Sequence, residues 1–104
     1  EVDLEKVTLW EKIRKKLPPL KVGEDGRLLE GDAPRKGVEP GHLHLSCLYG
    51  LYPSDLLTTE KYRNEDDGAV QSLYYRLNYG DGHTGWSRAW SACMLARIGD
   101  KNGF

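Results

Sequence analysis

The 104-residue chain has only two cysteines, three histidines, one methionine and one phenylalanine. Two cysteines are too few for a disulfide framework, and both sit in stretches, Ser46–Leu48 and Ala92–Met94, that read as buried helix. No run of apolar residues is long enough to cross a bilayer. A surplus of charge is missing too, since 15 basic residues face 16 acidic ones for a net charge of −1. That balance leaves no electrostatic footprint for nucleic acid or for an anionic membrane, so neither is expected as a partner. The basic run Lys12, Arg14, Lys15, Lys16 reads instead as the last turn of a helix, where cations complement exposed carbonyls. The chain opens on Glu1 with no recognisable signal segment in these residues, and is expected to be a processed product or a piece of something longer. The length allows one small hydrophobic core.

Helical periodicity predicts four helices, near residues 3–17, 43–50, 62–78 and 85–98. Val7, Trp10, Ile13 and Leu17 mark the first, ended by Pro18-Pro19. The third should bury a stripe of Val70, Leu73, Tyr74 and Leu77. Thr84 or Gly85 should cap the fourth and Gly99 should end it. Residues 20–29 contain Gly23-Glu24-Asp25-Gly26 between short apolar pairs, which predicts at most one small hairpin. Residues 30–41 read as loop. The fourth helix has almost no polar side, from Trp86 through Ala89, Trp90, Cys93, Met94 and Leu95 to Ile98. A helix apolar all round must be buried all round, and three companions can barely cover it. The chain is therefore expected to be a single segment, 1–104, of a larger helical domain.

The chemistry concentrates in GHLHLSCLYGLYP, Gly41 to Pro53. His42, His44 and Cys47, with His83 or Cys93 as a fourth, could be metal ligands, but the spacing matches no usual zinc pattern. The commoner fate of a free cysteine is that of a small buried hydrophobe, which would leave one histidine as a satisfied core or cap residue. Sugar binding is the third option. Tyr49, Tyr52, Trp86 and Trp90 offer aromatic faces for C–H patches, while His42, His44, Glu30 and His83 offer polar groups for hydroxyls. Glycoside hydrolysis needs a carboxylic acid opposite a base. The clusters Glu24-Asp25 and Glu65-Asp66-Asp67 read as solvated turns and helix starts, which leaves Glu30 as the one plausible site carboxylate. Ser46 has no nucleophile-elbow context.

The order of LLEG, GHLHLSCLYGLYP, SLYYRL and HTGWSRAWSACMLARIGD resembles glycoside hydrolase family 95, chiefly 1,2-α-L-fucosidases with some α-L-galactosidases. The likeness runs from about Leu17 to Asp100, and Gly85–Trp90 followed by Ala96–Asp100 is its most specific part. It implies a mainly α fold, a partial (α/α)6-barrel segment. The family pattern is His-Arg-His-x-Ser-His-Leu-Tyr-x-Leu-Tyr-Pro. This chain keeps His42, His44, Ser46, Leu48, Tyr49, Leu51, Tyr52 and Pro53, but has Leu43 for the arginine, Cys47 for the last histidine and Gly31 for a tryptophan.

The resemblance implies substrate-binding roles for His42, His44, Glu30 and Trp86, with a fucosylated glycan and the remainder of a parent domain as partners. It implies no cofactor and no metal, and points to a secreted or periplasmic setting. The family's inverting mechanism uses a glutamate acid and asparagines activated by an aspartate, none of which matches a residue here, so no catalytic residue is assigned. Leu43 and Cys47 favour the alternative, a degenerate helical module that binds glycan or protein without catalysis.

Overall fold

A computed structural model describes residues 3–31, 42, 44–58, 63–80 and 84–100. It is mainly helical: α1 spans Leu4–Lys16, α2 spans Arg63–Asn78 and α3 spans Gly85–Ile98, with 3₁₀ turns at Ser46–Leu48 and Leu56–Thr58. None of the described helices is long and apolar enough to cross a membrane. Tyr62, Leu43, His83 and most of the expected loop lie outside the described residues.

The first helix is held by its own ends. Asp3 accepts from the Lys6 N–H at 3.1 Å, Glu5 sits in the first turn, and Arg14, Lys15 and Lys16 face the carbonyl end. It stops at Leu17, whose backbone is extended ahead of Pro18. Not one residue of α1 is buried, and Leu4, Trp10, Ile13 and Leu17 are all at least half exposed. Its apolar stripe exists as read from the sequence, but nothing in the described chain covers it.

The expected hairpin is reduced to a single antiparallel bridge between Val22 and Leu28. Gly26, at φ 76°, turns the chain, and Asp25 accepts from the Arg27 N–H at 3.1 Å. This turn lies on α2. Leu28 N–H donates to the buried Ser72 hydroxyl at 2.9 Å and to the Gly68 carbonyl at 3.2 Å, while Ser72 donates to the same carbonyl at 2.8 Å. The approach requires glycine in the helix, because a Cβ at Gly68 would stand 2.9 Å from Val22 Cγ2. The Arg27 guanidinium covers the Tyr75 ring at 3.6 Å.

The predicted helix over 43–50 is not an α-helix. Leu48 N–H bonds to the Leu45 carbonyl at 2.8 Å and Tyr49 N–H to Ser46 at 3.2 Å, which closes one 3₁₀ turn followed by further turns to Pro53. The carbonyls of His42 and His44, which an α-helix would use for its own amides, are taken by Arg76. The spacing suits the result: Leu45, Leu48 and Leu51 recur every three residues, eclipse on a 3₁₀ repeat, and are all fully buried.

These leucines form the core with Leu28, Leu57, Ala69, Leu73, Met94 and Leu95. The buried face of α2 is rotated from the predicted stripe, running through Ala69, Ser72, Leu73 and Arg76 and leaving Tyr74 exposed. Burial of the Ser72 hydroxyl and of Arg76 Nη2 is offset by the backbone partners each of them meets. Thr84 caps α3 by accepting from Ser87 N–H at 3.1 Å, and Gly99 ends it at φ 77°. Within the described residues α3 is covered on one side only. Ser87, Ser91, Met94 and Leu95 are buried, whereas Trp86 is 59% exposed, so one side is left open.

Candidate functional site

The open side of α3 faces the histidine motif. Arg76, on α2, reaches across and donates from Nη2 to the carbonyl of His42 at 3.1 Å and of His44 at 2.5 Å. Leu45, next in sequence, is fully buried and anchors the same backbone from below. Between two such ties His42 and His44 remain exposed. Their rings lie 5.2 Å apart, and the His44 N–H donates to His42 Nδ1 at 3.1 Å. That bond makes Nδ1 the acceptor, so a neutral His42 ring carries its proton on Nε2.

His44 meets Trp86 edge to face at 5.6 Å, and Trp86 stacks on Trp90 at 5.4 Å with an interplanar angle of 25°. Trp90 is held in turn, its indole N–H donating to the Tyr52 carbonyl at 2.8 Å. Four rings thus form a ladder from His42 to Trp90. Beside its indole end lies a hollow of about 390 Å³ lined by Tyr49, Tyr52, Pro53, Trp86, Trp90 and Cys93. Its size and apolar, aromatic wall are those of a small-ligand site.

Glu30 is placed elsewhere. It borders a second hollow of about 730 Å³ with Pro18, Lys21, Cys47, Tyr49 and Ser54. Burial, and after it the negative charge of Glu30, pushes the Cys47 thiol up to about 12. The fold therefore brings His42, His44 and Trp86 together and sets Glu30 with Cys47, and Tyr49 lines both hollows. Among the described residues no three His, Cys, Asp or Glu side chains converge, so the arrangement of His42, His44, Cys47 and Cys93 around one ion is not assembled; His83 lies outside them.

One acidic cluster departs from the solvated reading. Asp66 is half-buried, its Oδ1 has no hydrogen-bond partner among the described residues, and burial followed by the charge of Asp67 raises its carboxyl above the usual range. Arg76 was not singled out from the sequence as a site residue. Its signal was there: in SLYYRL it stands three residues after Leu73, on what is a buried face.

The molecule is a helical segment with one open aromatic face and paired histidines at its edge. All of residues 1–104 match the family described as glycosyl hydrolase family 95 catalytic domain, and the chain belongs to that family. It is similar to a protein named alpha-L-fucosidase 2 from Arabidopsis thaliana, 34% identical over 83 residues that make up 80% of this chain and 10% of the relative. It is also similar to a probable alpha-fucosidase A from Aspergillus niger, 32% identical over 80 residues, 73% of this chain and 10% of that protein. The chain thus spans about a tenth of the length of the curated relatives it matches. No solved structure matches.

Proposed function

We propose that this chain is one segment of the catalytic barrel of an inverting α-L-fucosidase-like hydrolase and lends that barrel part of its sugar pocket. The observation that carries the reading is the His44–Trp86 contact at the rim of the aromatic hollow. An indole face beside an imidazole offers an apolar surface for sugar C–H groups next to a polar atom for a hydroxyl, as carbohydrate recognition requires. A 6-deoxy sugar adds a methyl group that the wall of Tyr52 and Pro53 would shelter from water. With Nδ1 engaged by the His44 N–H, His42 keeps Nε2 for a sugar hydroxyl, and Glu30 contributes from the second hollow across Tyr49. Among the described residues no acid and base stand on opposite faces of one bond, and on this reading the segment by itself binds at most part of a substrate.

The test uses 2′-fucosyllactose with the longer protein that this reading requires and with residues 1–104 alone. Turnover is expected only from the longer protein, where His44→Ala and Trp86→Ala should each raise KM roughly tenfold or more, the range of a lost hydrogen bond or aromatic contact. Unchanged KM and kcat in both variants would remove these residues from the pocket. Binding of L-fucose without turnover in the longer protein would favour the degenerate module.

A further inference from the structure

Resting on the sugar-pocket reading, we infer that Arg76 is the positioning residue of the histidine pair, fixing the backbone from which His42 and His44 meet the sugar. It does not touch the ligand. Arg76 is 6% exposed, in the interior of the described chain, and a permanently charged guanidinium is costly to place there. An apolar side chain could fill the same space at lower cost, so the polar contacts that Arg76 makes to the motif are a function that only a donor can supply. One nitrogen, Nη2, donates to the carbonyls on either side of residue 43, at 3.1 Å to His42 and 2.5 Å to His44.

Those two bonds hold the peptide planes that follow His42 and His44, one on either side of the peptide that carries the His44 N–H. They divert the motif from the α-helix that its sequence could form, in which the same carbonyls would accept from amides further along the chain. With the backbone so held, the His44 N–H points at His42 Nδ1 at 3.1 Å and the His44 ring lies against the edge of Trp86. The chain of causes runs from Arg76 through two carbonyls to the His44 amide, and from there to the proton position on His42. Once its peptide planes are fixed, a histidine side chain has only two torsions left, so little freedom remains. Misplacing a binding group by about an ångström costs on the order of a hundredfold in affinity or rate. Loss of Arg76 should therefore be felt at the sugar even though no atom of it reaches the hollow.

The experiment is calorimetric titration of L-fucose into the longer protein carrying Arg76→Met, Arg76→Gln or Arg76→Lys, with His44→Ala alongside. Titration separates the two ways a buried residue can matter. A purely structural role lowers the fraction of binding-competent protein, hence the stoichiometry, at unchanged Kd; a positioning role raises Kd at full stoichiometry. Arg76→Met is expected to raise Kd roughly ten- to a hundredfold. Arg76→Lys should recover part of the loss, because an ammonium can also donate to two carbonyls, and Arg76→Gln should recover less. Wild-type Kd in the Arg76 variants, with His44→Ala impaired, overturns the inference and leaves the pocket standing. Wild-type Kd in His44→Ala overturns the pocket reading and the inference with it. If Arg76→Met fails to fold, Arg76→Gln and Arg76→Lys decide by the same criterion: a raised Kd ordered Gln above Lys supports positioning, and wild-type Kd in both overturns it.

Discussion

Cys47 provides a direct check on the packing beneath the motif. Its thiol is pushed from an ordinary 9.0 up to about 12, first by burial and then by the charge of Glu30. A rise of that size lowers the thiolate present at neutral pH about a thousandfold. The less acidic thiolate is intrinsically the better nucleophile, and with a Brønsted slope of about 0.4–0.5 this returns roughly a factor of twenty. The net slowing at neutral pH is then about fiftyfold before any steric hindrance. Hindrance scales the rate without moving its pH dependence, so the shape of the profile carries the information. Alkylation by iodoacetamide, followed at the Cys47 peptide by mass spectrometry, should rise tenfold for each pH unit and show no plateau until about pH 11 or beyond. The urea-unfolded chain should level off near the ordinary value. Glu30→Gln should move the native profile down only part of the way, because burial, the larger cause, stays in place. The folded thiol holds its proton more tightly than the unfolded one. Stability is therefore undiminished below pH 9 and falls as pH rises from there towards about 12. A plateau near pH 9 in the native protein would refute the packing of Cys47 against Glu30.

Two substitutions examine the supports of the site by thermal unfolding. Gly68→Ala sets a helix-propensity gain of about 1 kcal/mol against overpacking of about 1–3 kcal/mol where Val22 Cγ2 lies 2.9 Å from the new carbon, so it should destabilise. In a Val22→Ala background the same change should become stabilising, and a destabilisation of equal size there would show that the close approach is not the cause. Trp90→Phe keeps a ring stacked on Trp86 but removes the donor to the Tyr52 carbonyl, and should cost about 1–2 kcal/mol; no change in the unfolding temperature would mean that water replaces that bond without loss.

What the sequence disclosed and what it hid divides by range. The spans of α1 and α3 follow local rules, apolar spacing with Thr84, Gly99 and Pro18 as punctuation, and the chain obeys them. The turn at residues 23–26 was visible for the same reason. The shape of residues 44–53 was not, because it depends on a guanidinium more than thirty residues away that claims two carbonyls. The rotation of α2 was hidden for a related reason: Ser72 and Arg76 read as outward-facing until their backbone partners are known. In the candidate site, aromatic and histidine composition showed which side chains could serve a sugar. The division into two hollows, with Glu30 on the Cys47 side, depends on how the turn of residues 22–28 lies on α2, a tertiary fact with no signature in residue spacing. The apolar character of α3 was legible, and its open side agrees with a helix made for more neighbours than the described residues provide.

The stacking of Trp86 on Trp90 also has an optical consequence. Two indoles 5.4 Å apart and inclined by 25° do not absorb independently; their transitions couple and share excitation. The resulting exciton signal overlaps the far-ultraviolet bands from which helix content is read, so dichroism would misstate the helicity of this protein by an amount that belongs to one ring pair. The third tryptophan, Trp10, is 60% exposed on α1 and stands outside the pair. During unfolding, disappearance of the couplet would therefore report the opening of the first turns of α3, while the emission of Trp10 would follow α1. The protein thus carries separate spectroscopic reporters for the helix that borders the candidate pocket and for the helix that stands apart from it.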